Sequence, residues 1–331
     1  MPIILDAMGS DNYPEPEIEG ALQAANLLDE SIILVGDKPV IESKLNSLAP
    51  DHPKISVEHA PEVVDMWDKP VESAKNKPNN SMAVGISLVK EGKGEAFVTA
   101  GNTGGAMFNA LRVLGRIKGV QRPALNATFP TRKGRCIVVD IGANADCRPD
   151  FLLQFGIMGS IYAQFLLNID KPTIGLLSNG EEPGKGNQLV KDTYKLFEES
   201  GLNFYGNVEP KELFAGVADV VVTDGFTGNM LVKSSEAIAK MITDILKEEL
   251  MSSFRTKFGA LLAKPAFSRM KSLIDPSEVG AAPLLGVDGL VFVGHGRSDA
   301  RAIVSSMLLA EKAIKNNLLG KIKNNLIENL A

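Results

Sequence analysis

Residues 96–116 read AFVTAGNTGGAMFNALRVLGR. A short apolar run, Ala96–Thr99, stops at a cluster of small and polar residues and gives way to a segment of helical period from 103 to 116. A strand, a glycine-rich turn and a helix in immediate succession form the repeating piece of an α/β protein. Working outward, the same alternation fills most of the chain. Strands are predicted at Ile3–Asp6, Ile32–Val35, Ile55–Glu58, Leu125–Phe129, Cys136–Asp140, Thr173–Leu177, Val220–Thr223 and Leu290–Val293. Helices are predicted near 15–28, 38–48, 81–91, 150–167, 187–200, 228–250 and 298–315. The pattern predicts largely parallel strands joined by right-handed helical crossovers.

Two stretches break the rhythm. Residues 60–80 form a long polar connection with three prolines, Pro61, Pro70 and Pro78, and a loop of that length in a compact α/β unit usually has a function. Residues 251–274, MSSFRTKFGALLAKPAFSRMKSLI, carry Arg255, Lys257, Lys264, Arg269 and Lys271 and no acid. Neither an internal repeat nor a low-complexity linker marks a domain boundary, so residues 1–331 are read as one catalytic unit with a helical element at about 245–275.

Composition narrows the function. The chain has 331 residues, 44% of them hydrophobic, and a formal net charge of -5, so it can build a sizeable core and is not shaped for nucleic acid. Three histidines and one tryptophan leave little for a His-built metal site or for base stacking. Cys136 and Cys147 suggest neither a disulfide framework nor a metal site and read as small buried residues, which fits the cytosol. No leader and no membrane-spanning run is expected.

Open α/β sheets bind ligands beyond the carboxyl ends of their strands. Here those ends are followed by DAMGSD (6–11), TAGNTGGA (99–106), DIGANADC (140–147), LLSNGEEPGKGN (176–187), TDGFTGN (223–229) and GHGRSD (294–299). Glycine lets the backbone approach a ligand, and free N–H groups at a helix start attract anions. One such turn is ordinary for the fold, whereas six together point to phosphate. The loop at 176–187 is not a Walker loop, because only three residues separate Gly180 from Gly184-Lys185. DAMGSD has a single glycine, so the dinucleotide fingerprint is missing as well. Each candidate also has a plainer explanation. Lys185 is a solvated loop lysine or a cation for phosphate, Asp224 a helix cap or an orienting group, and His295 a turn residue or a general acid.

In this order the loops LDAMGSD, AGNTGG, RPAL (122–125), VDIGANADC, GEEPGKGN, DGFTGN and GHGRSD closely resemble the phosphate acyltransferases of bacterial phospholipid synthesis, from Met1 to about residue 315. The family more often has a second Gly at Ser10, and Asn followed by an aliphatic residue at Ser178-Asn179, which leaves open which of those two faces the ligand. The resemblance implies a three-layer α/β/α Rossmann-like fold of the isopropylmalate dehydrogenase and phosphate acetyltransferase kind, with two lobes around a cleft. It implies formation of acyl phosphate from acyl-[acyl-carrier-protein] and inorganic phosphate, with no metal and no nicotinamide or other cofactor. The implied partners are the acyl carrier protein, a second copy of the chain, the membrane surface and a downstream glycerol-3-phosphate acyltransferase.

That reaction requires an oriented phosphate and fixed donors for a tetrahedral oxyanion. Lys185 is the expected electrostatic group, Asn229 a second donor, Asp224 their orienter and His295 a further donor or thiolate protonator. Gly101, Asn102, Thr103, Gly104, Ser178, Asn179 and Gly180 are the expected phosphate and thioester contacts, with Asp140, Asn144, Gly184 and Gly225 in the neighbouring turns. Glu181 and Glu182 should face away from phosphate or hold Lys185. A basic patch for the carrier is expected at Arg112, Arg116 and Lys118 or along 255–271. The apolar residues Phe258, Leu261, Leu262 and Phe267, interleaved with cations, suit either an anionic membrane interface or a dimer hairpin. Competing functions are a coenzyme A-dependent phosphate acetyltransferase, a dehydrogenase of the same fold and a non-catalytic membrane-docking partner.

Overall fold

The computed structural model describes residues 1–274 and 279–330. Its strands are β1 (Ile3–Asp6), β2 (Ile32–Gly36), β3 (Ile55–His59), β4 (Ala96–Thr99), β5 (Ala124–Thr131), β6 (Gly134–Val139), β7 (Ile174–Leu177), β8 (Phe204–Val208), β9 (Val220–Val222), β10 (Ala281–Leu285) and β11 (Leu290–Gly294). They form one sheet in the order β3-β2-β1-β4-β11-β10-β5-β6-β9-β7-β8. The helices are α1 (Glu15–Ala25), α2 (Lys38–Leu48), α3 (Pro70–Asn76), α4 (Ser81–Lys90), α5 (Thr103–Val113) and α6 (Pro149–Leu167). They continue with α7 (Gln188–Glu199), α8 (Pro210–Ala215), α9 (Gly225–Met251), α10 (Phe254–Ile274), α11 (Ala300–Lys315) and α12 (Leu318–Leu330).

Helices cover both faces, as a sheet of mostly parallel strands demands. Ile3 and Leu5 of β1 and Ile137 and Val139 of β6 point into one core, with Ile18 of α1, Phe155 of α6, Ile303 of α11 and Ile322 of α12. Ile4 turns to the opposite core with Met82, Ile86 and Ala106 of α4 and α5, and Val138 turns to a third cluster with Leu213 of α8. The two-residue period of the strands thus makes the three-layer α/β/α fold.

Strand direction decides where function can sit. β1 to β4 and β11 run parallel, and β6, β9, β7 and β8 run parallel. Between the two groups, β10 is antiparallel to β11 and to β5, and β5 is antiparallel to β6. Three successive reversals turn the second group against the first. Carboxyl ends of the two groups therefore lie at opposite edges of one sheet.

The predicted strands and helices are present, with small shifts at their ends, and five elements go beyond the reading, among them the short α8 with its Glu209–Glu212 capping box. β8 sits at the sheet edge with Gly206 at a φ of 122°, and β10 contains Pro283, both poor strand signals. α3 lies inside the Pro-rich connection, starting at Pro70. α12 buries Leu318, Ile322 and Leu326 at a helical period that Gly320 and several asparagines disguise. α6 spans 19 residues and is apolar enough to cross a bilayer, contrary to the expectation that no such run exists, but 72% of it is buried against the sheet, α7 and α12.

Glu17 of α1 is fully buried beneath the loop after β1, where its Oε1 accepts from the Ser10 N–H at 2.8 Å. Burial pushes its carboxyl from 4.5 up to about 7, against the hydrogen bonds from Ser10. The folded form keeps this proton to higher pH than the unfolded chain does. Its contribution to stability is therefore complete below about pH 4.5 and is lost as pH rises through 7. Glu17→Gln should remove this dependence, so chemical denaturation should show the variant gaining about 3 kcal/mol on the parent between pH 4.5 and 8. Parallel pH profiles would contradict it.

Candidate functional site

At the edge formed by β6, β9 and β7, three glycine-rich loops lie on neighbouring strands. The first begins at Asp140, which is fully buried. Its Oδ1 accepts from the N–H groups of Leu125 (3.1 Å), Gly142 (3.1 Å) and Ala143 (3.0 Å). Its Oδ2 accepts from the N–H of Asn144 (2.7 Å) and the Asn144 side chain (2.9 Å). Burial raises the carboxyl pKa and these donors oppose the rise. Asp140 and Asn144, expected as ligand contacts, instead build the loop, since the donors that phosphate would need are taken by the carboxylate. Asn144 also donates to the Pro123 carbonyl at 2.7 Å, tying the loop to residues 116–123.

The second loop opens α9. Asp224 caps the helix, accepting from the Thr227 N–H and hydroxyl at 2.8 Å each. Gly225 donates its N–H to the Asn144 carbonyl at 2.7 Å. A Cβ at Gly225 would lie 2.7 Å from that same carbonyl oxygen, and one at Gly228 would lie 1.9 Å from the Asp140 carbonyl oxygen. Only glycine lets the first turn of α9 lie this close to the 140–144 loop. Asn229 follows, exposed and beside Gly142, and its carboxamide makes no hydrogen bond among the described residues.

The third loop, 178–187, is braced from within. Asn179 Oδ1 accepts from the Gly186 N–H at 3.0 Å, and the Asn207 side chain holds the Glu182 carbonyl at 2.8 Å. Asn179 is therefore a loop brace, whereas Ser178 is buried with its hydroxyl unpartnered among the described residues. Glu181 turns outward to Lys211 at 3.0 Å. Lys185 crosses over Gly180, where a Cβ would meet its Cγ at 2.7 Å, and forms no ion pair among the described residues. Gly184 has open space around it, and the N–H groups of Gly180 and Gly184 are not committed among the described residues.

The other glycine-rich loops gather at the opposite edge. Asp6 is fully buried, accepting from the Thr99 hydroxyl at 2.7 Å and the Met8 N–H at 3.0 Å, while Thr99 Oγ1 accepts from the Gly101 N–H at 2.9 Å. Asn102 caps α5 through the Gly105 N–H and donates to the carbonyls of Asp65, Met66 and Asp68 at 3.1 Å each. Its side chain, expected on phosphate, clamps the Pro-rich connection instead. Gly104 lies under Pro70, and Thr103 stays exposed. His295 reaches Glu236 of α9 at 3.8 Å. It stands roughly 16 Å up that helix from Gly225, away from Lys185. One chain of logic placed all six loops together, and the strand reversals split them three and three.

Arg112 points its guanidinium to the Ala74 carbonyl of α3. Arg116 and Lys118 instead line an open groove of about 1260 Å³, with Arg122, Arg148 and Phe151. Composition could not reveal it, because its residues come from two loops that Asn144 brings together.

Gly228→Ala should cost more than about 3 kcal/mol in urea denaturation or abolish soluble protein, since the Asp140 backbone cannot yield. Gly184→Ala, with free space, should stay within about 0.5 kcal/mol. Equal effects at the two positions would contradict the packing described.

A family described as Fatty acid synthesis protein matches residues 1–321. A phosphate acyltransferase of Elusimicrobium minutum is 47% identical over 329 residues, covering 99% of this chain and 96% of that protein. One of Alkaliphilus oremlandii is 47% identical over 324 residues, covering 97% and 96%. Among solved structures, a phosphotransacetylase from Streptococcus pyogenes superposes with a TM-score of 0.60 at 18% identity over 95% of this chain and 94% of that one, a likeness of fold. Matched along nearly its whole length, the chain belongs to the phosphate acyltransferase family of fatty acid and phospholipid synthesis.

Proposed function

We propose that the chain transfers the fatty acyl group of an acyl carrier protein thioester to inorganic phosphate, giving acyl phosphate for phosphatidic acid and phospholipid synthesis. Family membership sets the reaction class. The observation that carries the reading to individual residues is an exposed, unneutralised Lys185 on the loop beside the α9 N-terminus.

Phosphate is already anionic near neutral pH, so no strong base is needed. One phosphate oxygen attacks the thioester carbonyl carbon, a C–O bond forms, and the C–S bond breaks to release thiolate, which takes a proton from solvent. Lys185 balances charge on the phosphate and on the oxyanion, with Asn229 and the N–H groups of Gly180 and Gly184 as fixed donors. Ser178 offers its unpartnered hydroxyl from beneath the same loop. Asp140, Asn144, Asp224 and Gly225 hold the α9 start and Asn229 in place. Residues 1–331 act as one catalytic unit, which works on the cytoplasmic side.

Two further contacts follow from the α9–α10 hairpin. Ile238, Met241, Ile242 and Ile245 are about half exposed or more at the 3-1-3 spacing of a helix stripe. This stem pairs with a second copy of the chain. On α10, Phe258, Leu261 and Leu262 are exposed among Arg255, Lys257 and Lys264, and Phe267 is half-buried. This part rests on an anionic membrane surface, close to where an amphiphilic acyl phosphate is consumed.

Lys185→Ala should lower turnover by roughly 10²- to 10³-fold with unchanged thermal melting, and near-parental turnover would remove Lys185 from the mechanism. Acyl-carrier and acyl-coenzyme A donors, assayed side by side, settle which thioester is used. Leu261→Glu with Leu262→Glu should abolish co-sedimentation with anionic liposomes, and unchanged co-sedimentation would sink the membrane role.

A further inference from the structure

The groove lined by Arg116, Lys118, Arg122 and Arg148 has no acid in its wall. None of the four cations forms an ion pair among the described residues. The three arginines are nonetheless held by neutral groups. The Arg116 guanidinium donates to the Gln121 carbonyl, and Arg148 donates to the Gln121 side chain at 2.5 Å. Arg122 and Arg148 both lie over the Phe151 ring, at 5.9 and 4.7 Å from its centre. Gln121 is held in turn by Gln154, whose Oε1 accepts from the Gln121 N–H at 2.9 Å and whose side-chain nitrogen donates to the Gly119 carbonyl at 3.0 Å. Gln154 is itself buried, so the loop is braced from the core.

Unpaired arginines usually wander in solvent, and a lone charged face is ordinary. Here, guanidiniums are stacked and hydrogen-bonded to neutral groups that leave their charge unbalanced. That arrangement prepares an electropositive surface for an anion. At about 1260 Å³ the groove is far larger than one phosphate ion requires. It also adjoins the catalytic edge, because Asn144 joins the Pro123 carbonyl in the groove wall to Asp140.

We propose that this groove docks the acidic face of the carrier protein that delivers the thioester, so that its arm enters beside the 140–144 loop. The proposal rests on the donor reading given under Proposed function. Of the two expected patches, Arg112, Arg116 and Lys118 or the 255–271 segment, it keeps Arg116 and Lys118 and adds Arg122 and Arg148. Arg112 is turned to α3, and α10 is left for the membrane.

The test is a double charge reversal, Arg122→Glu with Arg148→Glu, in the full-length protein, with circular dichroism to establish that it folds. Steady-state kinetics are measured with one acyl group on the carrier protein and on free pantetheine, at low and high salt. The expected result is a fall in kcat/KM for the carrier-borne donor at least ~10-fold greater than for the pantetheine thioester, carried by KM and narrowed by high salt. Equal falls for both donors would show that the groove serves the arm or the chemistry, and would overturn the proposal. So would no fall, or an equal effect from Lys257→Glu with Lys264→Glu on α10. If the parent protein turns over pantetheine thioester but not the carrier-borne donor, the donor reading fails first and the docking proposal falls with it. Failure of the variants alone leaves the donor reading standing.

Discussion

The carboxylate of Asp140 is the centre on which the loop edge of β6, β9 and β7 depends. Four backbone N–H groups and one side-chain amide converge on its two oxygens within 3.1 Å, in a fully buried position. A buried carboxylate is tolerable only when its lone pairs are filled in this way. Filling them folds residues 140–144 into a tight turn whose outer surface is bare backbone. Gly225 and Gly228 then let the first turn of α9 lie directly on that turn. The helix start and Asn229 take their positions from this contact, while the Lys185 loop on the adjacent strand is braced by Asn179 and Asn207.

A division of labour follows between groups that shape loops and groups left without a partner among the described residues. Asp6, Asp140, Asn102, Asn144, Asn179 and Asp224 all commit their side chains to contacts within the protein, as acceptors or clamps. Lys185, Asn229 and the free N–H groups of Gly180 and Gly184 remain for a ligand. An anion attacking a thioester needs donors already in place. Asp6 and Asp140, both fully buried, supply such order from within the protein.

Much of this was legible in the sequence. Short continuous apolar runs ending at Thr99, Asp140 and Leu177 mark the strands, and glycine with Asn or Asp marks each carboxyl end. What sequence could not show was direction. β10, with Ala281, Ala282 and Pro283, lacks the composition of a strand, and β5 reads the same whether parallel or antiparallel. Missing those reversals places His295 and Asn102 with Lys185, when they lie at the other edge. The residue types at the loops were informative about phosphate but silent about which side chains brace and which bind. Asp140 and Lys185 both follow a strand, and only burial separates them. The groove at Arg122 and Arg148 escaped notice because it depends on a contact between segments more than twenty residues apart.

The decisive measurement is the fate of phosphorus and sulfur when pure protein meets fatty acyl carrier protein. Phosphorus-31 NMR should show an acyl phosphate resonance that grows only with added inorganic phosphate, matched mole for mole by free carrier thiol and absent with Lys185→Ala. Thiol released without phosphate, or acyl phosphate formed at an undiminished rate by Lys185→Ala, would contradict a catalytic edge built around Asp140 and Lys185.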